Sequence, residues 1–269
     1  MALLTPEGGE VHELPARGLF GVLNLLSEKP GTLRYAGSVD DARRLAEEYR
    51  EAGFYSVDLG AQSSHYASRG LGEAEELQVL LPVVEALARE GHTVCVETAR
   101  AGVIEQCAQA GARVVNLTGG IGDPDVVATL ARTGCSVITA FTPRDSPHQV
   151  QDVSLDEDLR ERLAQGLADN MDTLRAAGVR SIIADAGIGF SYPVPYKEFS
   201  QYQVETIRRT PRLAEVLGAP VLVAVPRLRN LWTTAAFATL ALEFDAQFLR
   251  CHDPEVASIV QLLTEGVDE

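Results

Sequence analysis

The chain lacks most features that would mark a secreted, membrane-bound or nucleic-acid-binding protein. Its 269 residues include only 4 cysteines. Cys95, Cys107, Cys135 and Cys251 nowhere stand at C-x-x-C spacing, which argues against a structural zinc site and a disulfide framework. They read as reduced, buried small side chains of a cytoplasmic protein. No apolar run reaches the roughly eighteen residues that a bilayer crossing needs. The first ten residues show no basic start followed by an apolar stretch, so no secretory leader is expected. Positive charge is scarce as well: 23 Lys and Arg against 38 Asp and Glu give a formal charge of −15. That balance disfavours a phosphate-neutralising surface for nucleic acid. It leaves open a small anionic ligand, because a few arginines can reverse the field locally. No G-x-G-x-x-G follows a strand-like run, and no G-x-S-x-G occurs, so the dinucleotide fingerprint and the hydrolase elbow are both missing.

What is present is alternation. Short β-branched runs near Leu19–Leu23, Ser56–Leu59, Thr93–Val96, Arg113–Val115, Ser136–Ala140, Ser181–Ala184, Val221–Val225 and Ala246–Leu249 are separated by longer amphipathic segments. Continuous apolar runs suit parallel strands buried on both faces, and each parallel pair needs a helical crossover. Ser38 is a good N-cap ahead of Ala42, Leu45, Ala46 and Tyr49 at helical spacing. Further helices are expected near 77–88, 102–110, 124–133, 155–177, 198–217, 231–242 and 254–263. Ala52-Gly53, Ala110-Gly111 and Ala177-Gly178 each close a helix before the next strand, as glycine at a helix C-terminus does. Eight strand-helix units in one domain spanning 1–269 predict a parallel (β/α)8 TIM barrel. An open doubly wound sheet is the alternative.

In such a barrel the chemistry sits at the C-terminal strand ends. The runs end at Asn24, Asp58, Glu97, Asn116, Asp185, Arg227 and Arg250-Cys-His252-Asp253. One strand-end Asp or Asn is usually a cap or a turn former. A rim carrying so many polar ends could instead hold a flat, nitrogen-rich ring, since a carboxylate accepts paired N–H bonds from a guanidine-like edge. Arginines and a histidine on the last strands would suit an anion.

These residues, taken in order, resemble the dihydropteroate synthases and the wider pterin-binding barrel family. Gly21-Val-Leu-Asn24 resembles the family's first-strand signature. Asp58-Leu-Gly-Ala-Gln-Ser63-Ser64 resembles D-x-G-G-E-S-T, and Val96-Glu97-Thr98 stands where the family has V-D-T. Gly111-Ala-Arg-Val-Val-Asn116, Asp185-Ala-Gly-Ile-Gly-Phe190 and Arg250-Cys-His252-Asp253 are similar to G-A-x-I-I-N, D-P-G-I-G-F and R-V-H-D. The resemblance implies a pterin pocket in which Asn116, Asp185 and Glu97 meet the ring edge. Asp58, Ser63, Ser64, His65 and Arg227 would complete substrate binding. It places Asn24, Arg250 and His252 near a diphosphate leaving group as the catalytic set, with room for a magnesium ion at Asn24. Family members usually dimerise through helices late in the chain. The segment after strand 7, with Leu231, Trp232, Phe237, Leu240 and Leu242, is apolar on more than one face, so a homodimer is expected.

Several positions depart from the pattern. The first loop reads Leu26-Ser-Glu-Lys-Pro30 where the family has T-P-D-S-F, with Glu28 in the aspartate's place. His65-Tyr66 replaces Arg-Pro, with Arg69 nearby. Pro226-Arg227-Leu228 replaces S-R-K, and Glu97 is one methylene longer than the family's aspartate. Three readings fit. The first is a transferase joining a pterin methylene to an amine or another nucleophile. The second is a one-carbon transferase using a reduced folate. The third is a pterin-binding or partner protein without chemistry.

Overall fold

The structure, a computed structural model, describes residues 5, 7–26, 35–61, 71–119, 121–141, 155, 157–189, 195–226 and 231–265. Strands and helices alternate in the order β1 (Gly18–Asn24), α1 (Val39–Glu51), β2 (Ser56–Gly60), α2 (Glu73–Arg89), β3 (Val94–Thr98), α3 (Ala101–Gln109), β4 (Val114–Leu117), α4 (Pro124–Thr133) and β5 (Ser136–Thr139). There follow α5 (Glu157–Ala177), β6 (Ile182–Asp185), α6 (Tyr196–Arg208), α7 (Thr210–Leu217), β7 (Val221–Ala224), α8 (Leu231–Glu243), β8 (Phe248–Cys251) and α9 (Val256–Glu265). All eight strands are parallel, and β8 closes on β1 from Gly18↔Phe248 to Gly21↔Cys251. This is the (β/α)8 barrel that the alternation predicts, not an open sheet.

The local signals explain the units. Ser38 caps α1 by accepting from the Asp41 amide at 3.1 Å, and the face that α1 buries is Ala42, Leu45, Ala46 and Tyr49. Gly53, Gly111 and Gly178 all take positive φ, the left-handed conformation that a side chain would disfavour at a helix end. One expectation fails. The single helix over 198–217 is two, α6 and α7, broken at Arg209. Pro211 is the cause: it lacks an N–H and its ring disfavours continuation through the preceding turn, but it fits the first turn of a new helix.

Side chains alternate between the two faces of each strand. Phe20, Cys95, Val114, Ile138, Ile183, Leu222, Ala224 and Phe248 point inward and form an apolar plug. The opposite face, with Leu19, Leu23, Val115, Val137 and Leu249, packs under the helices. The floor of the barrel is polar but neutral. Ser136 Oγ donates to the His12 carbonyl at 2.9 Å and lies 2.9 Å from Ser181 Oγ. Ser56 Oγ donates to the Thr93 carbonyl at 3.0 Å, and His12 Nε2 meets the Tyr55 hydroxyl at 2.5 Å. Burial and Arg113 lower the His12 pKa, so the ring is held neutral beneath the plug.

Candidate functional site

The same pleat fixes the opposite rim. Glu97, Asn116, Asp185 and Arg250 each lie two residues beyond a plug residue (Cys95, Val114, Ile183, Phe248), so all four side chains emerge one layer above the plug. Asp58 joins them from β2, paired in register with Val22 on one side and Cys95 on the other. Residues remote in sequence thereby become one cluster.

Arg250 is its hub. Nε donates to Asp58 Oδ2 at 2.5 Å and Nη2 to Glu97 Oε2 at 2.6 Å. Asn116 Nδ2 donates to the same Asp58 oxygen at 3.0 Å. Asp185 Oδ1 accepts from the Gly187 amide at 2.8 Å, and Gly187 itself takes positive φ as the chain turns away from the strand. The Asp58 side chain is wholly buried, whereas those of Glu97 and Arg250 keep 10% and 18% of their surface open toward the barrel mouth.

Charge does not balance within this cluster. One guanidinium faces Asp58, Glu97 and Asp185. Burial therefore dominates the last two: it raises Glu97 to about 7, against the pull of Arg250, and Asp58 and Asp185 add repulsion. Burial also raises Asp185 to about 6, with Gly187 and Arg250 opposing. Desolvation alone would lower the Arg250 pKa, but Asp58 and Glu97 outweigh it and raise that pKa, so the guanidinium stays charged. Burial first, and then Asp58, push the Cys95 thiol well up, so it stays protonated beneath the charged rim.

Two atoms at this rim stand out. Asn24 Nδ2 and Asp58 Oδ1 are buried and meet no hydrogen-bond partner among the described residues. Buried polar atoms are normally paired, so a free donor and a free acceptor at the strand ends suit a ligand that brings the complementary groups. His252 lies two residues beyond Arg250 and opens the turn into α9. Ser63, Ser64, His65 and Arg227 lie outside the described residues, as do Glu28, Arg69 and Leu228.

One contact at the mouth is not evident from the sequence. Arg100 pairs with Glu76, buried in the first turn of α2, and donates from Nη2 to the Leu71 carbonyl at 2.6 Å. The β3–α3 turn thus holds the chain where it re-enters α2. The only sequence signal was an arginine two residues past a strand end.

The family profile described as pterin binding enzyme matches residues 20–252. The chain is 28% identical over 254 residues to a dihydropteroate synthase of Synechocystis sp., covering 87% of this chain and 85% of that protein. It is 25% identical over 252 residues to the type-3 dihydropteroate synthase of Escherichia coli, covering 87% and 93%. Among solved structures, the Yersinia pestis dihydropteroate synthase in a sulfonamide drug complex superposes with a TM-score of 0.76 at 25% identity, covering 98% of this chain and all of that one. The family match spans the barrel from the first strand to His252, including every described residue of the charged rim, and the chain belongs to the pterin-binding enzymes.

Proposed function

We propose that the chain is a dihydropteroate synthase-like transferase of folate metabolism, which joins the methylene of a pterin diphosphate to an amine with loss of diphosphate. The observation that carries this reading is the rim of Asp58, Glu97, Asn116 and Asp185 around Arg250, in a chain of this family. A cluster rich in acceptors and short of cations suits a donor-rich ring edge, and placing that edge against Asp185 relieves the carboxylate's burial. The curated relatives named above are both dihydropteroate synthases, which favours this reading over reduced-folate one-carbon transfer or a protein without chemistry.

In this mechanism the pterin ring lies across the rim, with Asp185, Asn116 and Asp58 Oδ1 at its edge. Two of the five N–H groups of Arg250 are committed to Asp58 and Glu97, so the remaining three can face the diphosphate. With Asn24 and His252 they would stabilise the negative charge that grows on the leaving oxygen as the methylene carbon–oxygen bond breaks. The amine nitrogen then bonds to the methylene carbon and gives up its proton to water. Ser63, Ser64, His65 and Arg227 are proposed on the acceptor and diphosphate side.

Among the described residues no group of three or more His, Cys, Asp or Glu side chains is placed to hold a metal. A magnesium ion would instead arrive with the diphosphate, since such ions take few protein ligands and several waters. Asn24 would touch it through its amide oxygen, and the ion would add charge neutralisation of the leaving group.

A homodimer is part of the same reading. Trp232 on α8 is 84% exposed and Leu231 beside it 40%, an apolar surface suited to a second copy. A monomer by light scattering at micromolar concentration would remove this claim. A cytoplasmic location is supported by four buried, unbridged cysteines.

The reading is tested by incubating the chain with a dihydropterin diphosphate and 4-aminobenzoate, following diphosphate release and the coupled product. Parallel calorimetry with the ester, a bare pterin and a reduced folate separates the alternatives. Binding of the reduced folate alone would support one-carbon transfer, and binding of none would sink the proposal.

A further inference from the structure

The seam where β8 closes on β1 carries an unusual fitting. The ladder between these strands ends at Gly21↔Cys251. Just beyond it the hydroxyl of Tyr49, a fully buried residue of α1, lies 2.7 Å from the His252 carbonyl and 2.9 Å from the Val22 carbonyl. Its single proton is thus shared in a three-centre bond between β1 and the residue that follows β8. The ring reaches this point by lying flat on Gly21, where any Cβ would come within 2.5 Å of it. Phe54 fixes the other side, its ring centroid 4.8 Å away. The hydroxyl reaches the β8–α9 turn by its bond to the His252 carbonyl, while the ring packs against Gly21 and Phe54.

We propose that Tyr49 is a positioning residue: its hydroxyl sets the backbone of His252, and thereby the place of the imidazole at the anion end of the site. This inference rests on the transferase reading above for the role of His252. The geometry supports it in two ways. The bond is to the catalytic candidate's own carbonyl, and it spans 203 residues of sequence, so no local turn could replace it. Its second acceptor is Val22, two residues before Asn24, so the one hydroxyl ties together both strands that carry the proposed diphosphate contacts.

The test is Tyr49→Phe in the full chain, which keeps the ring and removes the hydroxyl. Two probes are used, inorganic pyrophosphate and a bare pterin, each by calorimetry. The affinity for pyrophosphate should fall about fivefold, the worth of one net hydrogen bond, while that for the bare pterin should change by less than about twofold. The His252 imidazole nitrogen signals, assigned by their loss in His252→Gln, should shift in the ¹H–¹⁵N spectrum. Phe54→Leu is the packing control. It loosens the same ring without touching the hydroxyl, and should lower the melting temperature but leave the pyrophosphate-to-pterin ratio unchanged. Should Tyr49→Phe not fold, Tyr49→Met fills the space with a flexible side chain and is read the same way. An unmoved His252 signal, or equal losses for both probes, overturns the proposal. If the unaltered protein binds no pyrophosphate, the transferase reading fails, while the His252 signal still decides whether the hydroxyl positions that turn.

Discussion

The two ends of the barrel treat buried polar groups in opposite ways. On the floor, Ser56, Ser136, Ser181, His12 and Tyr55 are neutral and bonded to one another or to carbonyls. On the rim, three carboxylates share one guanidinium, and Asn24 Nδ2 and Asp58 Oδ1 have no partner among the described residues. The plug that separates the two ends is the same apolar layer. The difference teaches where function lies: a satisfied polar layer contributes stability, whereas unsatisfied atoms and surplus charge cost stability and are kept for a ligand.

The charged rim is most vulnerable at Arg250. Arg250→Met strands Asp58 and Glu97 without their cation, and should lower stability by about 3 kcal/mol, measured by urea unfolding. A loss below about 1 kcal/mol would mean that the rim is not held by charge. Next is Asp185→Asn. If Asp185 binds the ring edge, its loss should weaken pterin binding by about 2 kcal/mol, near thirtyfold, with folding little affected. Unchanged affinity by calorimetry would remove Asp185 from the proposed contact.

The pH dependence follows from the same surplus charge. Glu97 is raised from 4.5 to about 7 and Asp185 from 3.8 to about 6. The folded state therefore binds protons more tightly than the unfolded chain at these two groups. Their contribution to stability is fully present below the unfolded values and is lost as pH rises through about 6 to about 7. Glu97→Gln removes one of the two titrations and should flatten this part of the stability profile. A profile identical to that of the unaltered protein would show that Glu97 stays ionised throughout. The smallest effect belongs to the floor. Ser136→Ala should cost about 1 kcal/mol and leave pterin affinity where it was. A change in binding there would erase the contrast between the two ends.

Much of this contrast was legible in the residues. Asn24, Asp58, Glu97, Asn116, Asp185 and Arg250 stand at strand ends, and five of them share the inward parity that their plug neighbours reveal. Helix starts were legible where a cap marks them, as at Ser38, and were misread where a proline interrupts an otherwise continuous apolar pattern, as at Pro211. What could not be read was the use of each side chain. Arg250 looked like an anion contact alone. In the structure it is also the strut between Asp58 and Glu97, because closure of the barrel brings β8 within reach of β2 and β3. Cys95 read only as a small buried side chain, although it lies beside Asp58 in register.

The eight strand-helix units, the caps at Ser38 and the helix-ending glycines, and the set of polar strand ends all follow from the order of residues alone. These depend on alternation, helical spacing and turn chemistry, all of which act over a few residues. The tertiary structure decided the pairing of Arg250 with two carboxylates, the Asp58 oxygen left without a partner among the described residues and the reach of Tyr49 to His252. Those depend on register across strands and on burial. Neither exists until β8 has closed on β1, when the loss of water around the rim turns a row of strand ends into one electrostatic unit.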